Sequence, residues 1–158
     1  MARATPATLF LQRAGFSFDL RTYDYDADAQ KIGLQAAEAL GEPPSRVLKT
    51  LIAQVDGKPV CVVLPSDREV SLKRLAQALG GKAAEMAPPA TAERLTGYKI
   101  GGVSPFGQKR RLPTVLEAAA MDEAYVIVNG GQRGLQIQLA PQDLRDATQA
   151  VVAEITAP

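Results

Sequence analysis

The chain has 158 residues, with 18 Lys plus Arg against 17 Asp plus Glu and a net charge of +1, so it lacks the excess of basic residues needed to bind nucleic acid over its whole surface. With one cysteine and no histidine, it has neither the usual zinc ligand sets nor a Ser-His or Cys-His nucleophilic pair. Its length suits one domain spanning residues 1–158 that buries roughly 70% of the surface of the unfolded chain without disulfides.

The opening MARATPATLFLQRAG is interrupted too soon, at Gln12 and Arg13, to read as a signal peptide, and the chain contains no apolar run of membrane-spanning length. Together with the unpaired Cys61, this leads us to expect a soluble, cytoplasmic protein with no membrane association. Thr5 followed by Pro6 has the form of a helix cap plus first helical residue, and Gly15 is the stop. Ser17 to Asp24 alternates Phe18, Leu20 and Thr22 with polar residues and predicts a strand. Asp24, Asp26 and Asp28 have the spacing of a calcium loop, but Ala29 and Gln35 stand where such a loop needs glycine and glutamate, so an acidic turn is expected instead.

Ile32 to Leu40 has helical spacing and ends on Gly41. Two apolar segments, Val47 to Val55 and Val60 to Leu64, flank Asp56-Gly57-Lys58-Pro59 and predict a hairpin. Cys61 lies inside VCVVL, where a buried, inert thiol is expected. Lys49 interrupts the first of these strands, and alternation would turn it either to solvent or into a cleft where it could hold a phosphate or carboxylate. Ser71 caps a helix over Leu72 to Leu79, and a second short helix covers Ala90 to Leu95. Pro113 to Glu117 predicts a strand, Tyr125 to Val128 and Leu135 to Leu139 a second hairpin, Pro141 to Ala147 a helix, and Val151 to Ile155 a last strand. The expected fold is therefore α/β, or α+β, with a mixed and mostly antiparallel sheet.

Between these elements lies GYKIGGVSPFGQK, Gly97 to Lys109, rich in glycine and followed by Arg110 and Arg111, with no acid from Arg94 to Leu116. Glycines let backbone N–H groups approach an anion or a developing oxyanion closely; the same composition also suits a solvated surface loop. Gly102 and Gly107 have the spacing of a phosphate loop, but Gln108 intervenes before Lys109, and Arg110 rather than a Ser or Thr follows that lysine, which argues against a nucleotide hydrolase.

Tyr23-Asp24, Leu48-Lys49-Thr50-Leu51, Glu85-Met86-Ala87, Thr96-Gly97-Tyr98, Gly101 to Lys109 and Gly130 to Leu135, taken in this order, closely resemble the YbaK family. These are free-standing aminoacyl-tRNA deacylases related to the editing domain inserted in bacterial prolyl-tRNA synthetases, and the sequence looks most like their Cys-tRNA(Pro) branch. The resemblance implies a barrel-like sheet surrounded by helices, no metal or other cofactor, and action on the acceptor end of tRNA(Pro) mischarged with cysteine. It also implies a transient complex with prolyl-tRNA synthetase.

By the same resemblance, Lys49, Gly101 and Gly102 would be catalytic, with the two glycine amides polarising the ester carbonyl. Tyr23, Ser104, Pro105, Asn129 and Gly130 would bind the substrate, and Lys109, Arg110 and Arg111 would meet the RNA backbone. Asn129 stands where the family has a functional serine. Two alternatives stay open: a related deacylase for Ser, Thr, Ala or a non-protein amino acid, and a non-catalytic module that binds an acceptor end or a synthetase.

Overall fold

A computed structural model describes residues 4–28 and 32–158. Ala29, which fills the glycine position of the rejected calcium loop, lies outside the described residues. Helix α1 (Pro6–Ala14) starts where the sequence places it, because Thr5 and Thr8 cap each other: Thr5 Oγ1 accepts from Thr8 N at 3.2 Å and Thr8 Oγ1 from Thr5 N at 2.9 Å. Strand β1 (Asp19–Thr22) is shorter than the alternating run, and α2 (Ile32–Leu40) follows. Strands β2 (Leu48–Val55) and β3 (Lys58–Pro65) pair antiparallel from Leu48↔Pro65 to Val55↔Lys58. Their turn is only Asp56-Gly57, at φ 50° and 79°, so Lys58 and Pro59 belong to the strand rather than to the expected longer turn.

Helix α3 (Leu72–Ala78) is capped by the Ser71 hydroxyl, and α4 (Pro89–Thr96) ends on Gly97. Between them β4 (Ala84–Met86), which the pattern did not reveal, pairs with the end of β2. Next come β5 (Thr114–Glu117), a 3-10 turn over Ala118–Asp122, β6 (Val126–Asn129), β7 (Leu135–Leu139), α5 (Pro141–Thr148) and β8 (Val151–Ala153).

The sheet is mixed, as expected, but it does not close into a barrel. Strands β1-β7-β6 form one antiparallel sheet and β4-β2-β3-β5-β8 another, in which the β3–β5 and β5–β8 pairs are parallel. A parallel bridge, Val47↔Ile127, joins the two. Pairing does not extend back from Val47, because the chain there is a turn in which Arg46 N donates to Pro43 O.

The main core fills the space between the sheets, where Ile52, Val63 and Leu116 meet Val126, Val128 and Ile137 together with Leu11, Leu95 and Phe106. On the other face of the larger sheet, Val62, Leu64 and Val115 pack with Leu75 and Ile155. Strand β3 is thus buried on both sides, which explains its unbroken apolar run. Beside the Val47↔Ile127 bridge, at the start of β2 and the ends of β1 and β6, a space opens.

Candidate active site

That space is a cleft of about 340 Å³. Six segments line it: Tyr23 just past β1, Ala36 in α2, Val47 to Leu51 at and before the start of β2, Ile100, Gly101 and Val103 from the glycine-rich loop, Asn129 at the end of β6, and Gln136 in β7. Lys49, Tyr23, Gly101 and Asn129, separated by up to about a hundred residues in sequence, therefore meet in one place.

Lys49 points into the cleft rather than to open solvent, with its side chain 19% exposed. Its Nζ lies 3.7 Å from Glu69, whose side chain is 85% exposed. So loose a surface pair holds the ammonium weakly and leaves it available to an anionic ligand. Tyr23 is half-buried, and that burial, reinforced by neighbouring Tyr25, raises its phenol above the ordinary value, so that it stays a neutral hydroxyl able to donate.

Of the two glycine amides expected to face a carbonyl, only one is available. Gly102 N–H donates to Lys99 O at 2.8 Å, closing a turn, and this corrects the expectation of a paired donor. No hydrogen bond among the described residues uses the Gly101 N–H. Gly101 has φ 89°, and a Cβ there would lie 2.5 Å from Tyr25 Oη. Both features require glycine.

Asn129 lines the cleft, but most of its carboxamide is engaged. Nδ2 donates to Gly101 O at 3.1 Å, while Oδ1 accepts from Gly131 N at 2.7 Å and Gln132 N at 3.2 Å. It ties the 129–134 turn to the glycine-rich loop.

Ser104, Pro105 and Gly130 do not line the cleft. Ser104 is fully buried, its Oγ accepting from Phe106 N at 3.2 Å. Pro105 lines a separate, smaller groove with Phe10, Phe106 and Leu112. Gly130 is buried; its N–H bonds to Leu135 O at 2.8 Å and its carbonyl accepts from Thr5 Oγ1 at 2.5 Å. Lys109, Arg110 and Arg111 are exposed, and no carboxylate among the described residues pairs with them.

Two cleft residues escaped the sequence reading. Thr50 Oγ1 is buried without a hydrogen-bond partner. Gln136 is 3% exposed, faces Asn129 across the β6–β7 ladder, and its side chain makes no hydrogen bond among the described residues. Gln136 alternates with Leu135 and Ile137, yet all three are buried, so both faces of β7 are covered here. Cys61 lies outside the cleft; burial pushes its thiol up to about 11, although contacts with Gln108 and Thr114 pull the other way.

The sequence matches the aminoacyl-tRNA editing domain family over residues 27–147. The chain belongs to that family. As an editing domain it is an aminoacyl-tRNA deacylase, an enzyme of translational fidelity that acts on tRNA. It is 43% identical over 122 residues to "Putative Cys-tRNA(Pro)/Cys-tRNA(Cys) deacylase EbsC" of Enterococcus faecalis, covering 76% of this chain and 74% of that protein. It is 32% identical over 116 residues to a proline–tRNA ligase of Geobacter metallireducens, covering 73% of this chain but only 20% of the ligase. The fold matches a crystal structure described as "a putative trans-editing enzyme for prolyl tRNA synthetase" with TM-score 0.85 and 22% identity, over 99% of this chain and all of the other. Among the described residues, no helix of this editing domain is long and apolar enough to cross a membrane.

Proposed function

We propose that this editing domain acts in trans, in the cytoplasm, to clear cysteine from tRNA(Pro), and that residues 1–158 form one catalytic unit. The observation that carries this reading is the cleft itself, where an unspent Gly101 N–H, a loosely paired Lys49, a neutral Tyr23 hydroxyl and two unpartnered polar side chains, Thr50 and Gln136, converge. These groups suit binding and charge stabilisation more than nucleophilic attack. The nucleophile in this reading is the substrate's own thiol.

The thiol sulfur attacks the ester carbonyl, the S–C bond forms, and the bond from carbonyl carbon to ribose oxygen breaks. The thiol proton goes to the leaving ribose oxygen, releasing tRNA and a cyclic thiolactone. The Gly101 N–H stabilises the carbonyl oxygen, Lys49 engages the terminal nucleotide, and the cleft holds sulfur and carbonyl in attacking geometry. Lys109 to Arg111 meet the RNA backbone near the acceptor end, and prolyl-tRNA synthetase supplies recognition of the tRNA body. Similarity to a segment of proline–tRNA ligase and to EbsC supports both partners.

Deacylation of Cys-, Ser- and Ala-tRNA(Pro) tests the mechanism, because the last two lack the thiol. Cysteine is expected to be released much faster, and equal turnover of all three would sink the substrate-thiol account. Cys61→Ala is expected to leave turnover intact, since the protein's own thiol lies outside the cleft. A second reading, clearance of another small amino acid, draws on Asn129, whose carboxamide is largely engaged within its turn and whose neighbours Thr50 and Gln136 could hydrogen-bond a hydroxyl.

A further inference from the structure

Three consecutive peptide groups run through the wall formed by the glycine-rich loop, and almost every polar group in them has a partner. In the first, Lys99 O accepts from Gly102 N at 2.8 Å and Ile100 N donates to Glu93 Oε2 at 2.9 Å. In the third, Gly101 O accepts from Asn129 Nδ2 at 3.1 Å while Gly102 N makes the bond just named. In the middle peptide, Ile100 O accepts from Arg133 Nε at 2.9 Å, and Gly101 N–H alone is unspent.

From this geometry we propose that Arg133 is a positioning residue, which aims the Gly101 N–H at the substrate carbonyl by holding the opposite end of the same peptide. The inference rests on the deacylase reading above. A trans peptide points its C=O and N–H in opposite directions, and the described chain has no cis bond. Fixing Ile100 O therefore fixes where Gly101 N–H points. Glycine at φ 89° lets the plane swivel at little cost, so without an external hold the middle peptide is the one free to rotate.

Arg133 is itself held, with its guanidinium over the Tyr25 ring at 5.2 Å from the centroid. Tyr25 Oη and Arg133 Nε stand where a Gly101 side chain would be, at 2.5 and 3.3 Å from that Cβ position. Together they back the loop from the side chain's direction. The bond to Ile100 O is charge-assisted, which strengthens it and polarises the peptide toward a more acidic N–H.

The competing role for an exposed arginine in a tRNA enzyme is a phosphate contact, and side-chain length separates the two. Glutamine carries its amide nitrogen at the same chain position as arginine Nε but has no charge, whereas methionine has neither donor nor charge. The test is single-turnover deacylation of Cys-tRNA(Pro) at increasing enzyme concentration, with wild type, Arg133→Met and Arg133→Gln, and thermal melts to confirm folding. Positioning predicts that Arg133→Met lowers the saturated rate by roughly tenfold or more, leaves the half-saturating concentration within about twofold, and is largely rescued by Arg133→Gln. A saturated rate at wild-type level in Arg133→Met, with both variants equally weakened in half-saturation and in salt dependence, overturns the proposal in favour of a phosphate contact.

Wild type failing to release any mischarged amino acid would overturn the deacylase reading and this role with it, whereas normal wild-type release matched by Arg133→Met overturns this role alone. Should Arg133→Met not fold, Tyr25→Leu removes the platform under the guanidinium instead. It is expected to lower the saturated rate several-fold, and an unchanged rate counts against the proposal.

Discussion

The glycine-rich stretch divides near Val103, and its two halves are built for different ends. In the first half, side chains from elsewhere, Glu93, Asn129 and Arg133, hold the backbone while the Gly101 N–H stays unspent at the cleft. In the second, hydrogen bonds turn inward: Tyr98 Oη donates to Phe106 O at 2.6 Å, Phe106 N to Ser104 Oγ, and Gln108 Nε2 to Ser104 O at 3.0 Å. The same composition thus serves once as a binding wall and once as a foundation. What separates them is that only the first half lines the cleft.

Substituting one glycine in each half is the most direct way to break that comparison. Gly101→Ala forces a Cβ onto Tyr25 Oη at φ 89° and disturbs the unspent amide, so deacylation is expected to fall by about 100-fold. Its loss of stability should be the smaller of the two, because the obstructing atom ends a side chain that can move. Gly107→Ala, at φ 64°, drives a Cβ into the Pro6 carbonyl, which is fixed backbone. It should lower stability by roughly 2–3 kcal/mol while the folded fraction keeps its rate. Denaturant melts and single-turnover rates measured on both variants check the pair, and equal loss of rate would erase the distinction.

Lys49→Ala comes next, with an expected loss of roughly tenfold in rate or half-saturation and little change in melting temperature, since its partner Glu69 is itself almost fully exposed. Ser104→Ala tests the foundation. The family resemblance implied that Ser104 binds the substrate, whereas its buried Oγ caps Phe106 N; removing it should cost about 1 kcal/mol of stability and leave the saturated rate unchanged.

The parts of the fold legible in the sequence were those with local causes. The Thr5-Pro6 start, the Ser71 cap and the Asp56-Gly57 turn each follow from residues that satisfy their own neighbours. Strand β4 was not legible, because three residues with exposed Glu85 and Met86 carry no period and exist only by pairing with β2. Closure of the sheet was not legible either, since it turns on whether pairing continues past the Val47↔Ile127 bridge.

At the site, resemblance located Lys49, Tyr23, Gly101 and Asn129 together, but no pattern shows that Gly102 N–H is spent in a turn or that Gln136 is buried. Alternation tells which residues share a face of a strand. It does not tell whether that face meets water.

The smallest effect comes from Thr50, and it sharpens the comparison from the β2 lining of the cleft. Its Oγ1 is buried without a partner, so the free protein bears the cost of desolvating a hydroxyl that bonds to nothing. Valine has nearly the same shape and no such group. Thr50→Val is therefore expected to stabilise the fold by up to about 1 kcal/mol in denaturant melts. If the hydroxyl is kept for the substrate, the same change lowers the Cys-tRNA(Pro) rate several-fold, so that stability rises as activity falls. A gain in stability with no loss of rate would mean that the orphan hydroxyl, unlike the orphan N–H of Gly101, serves no ligand.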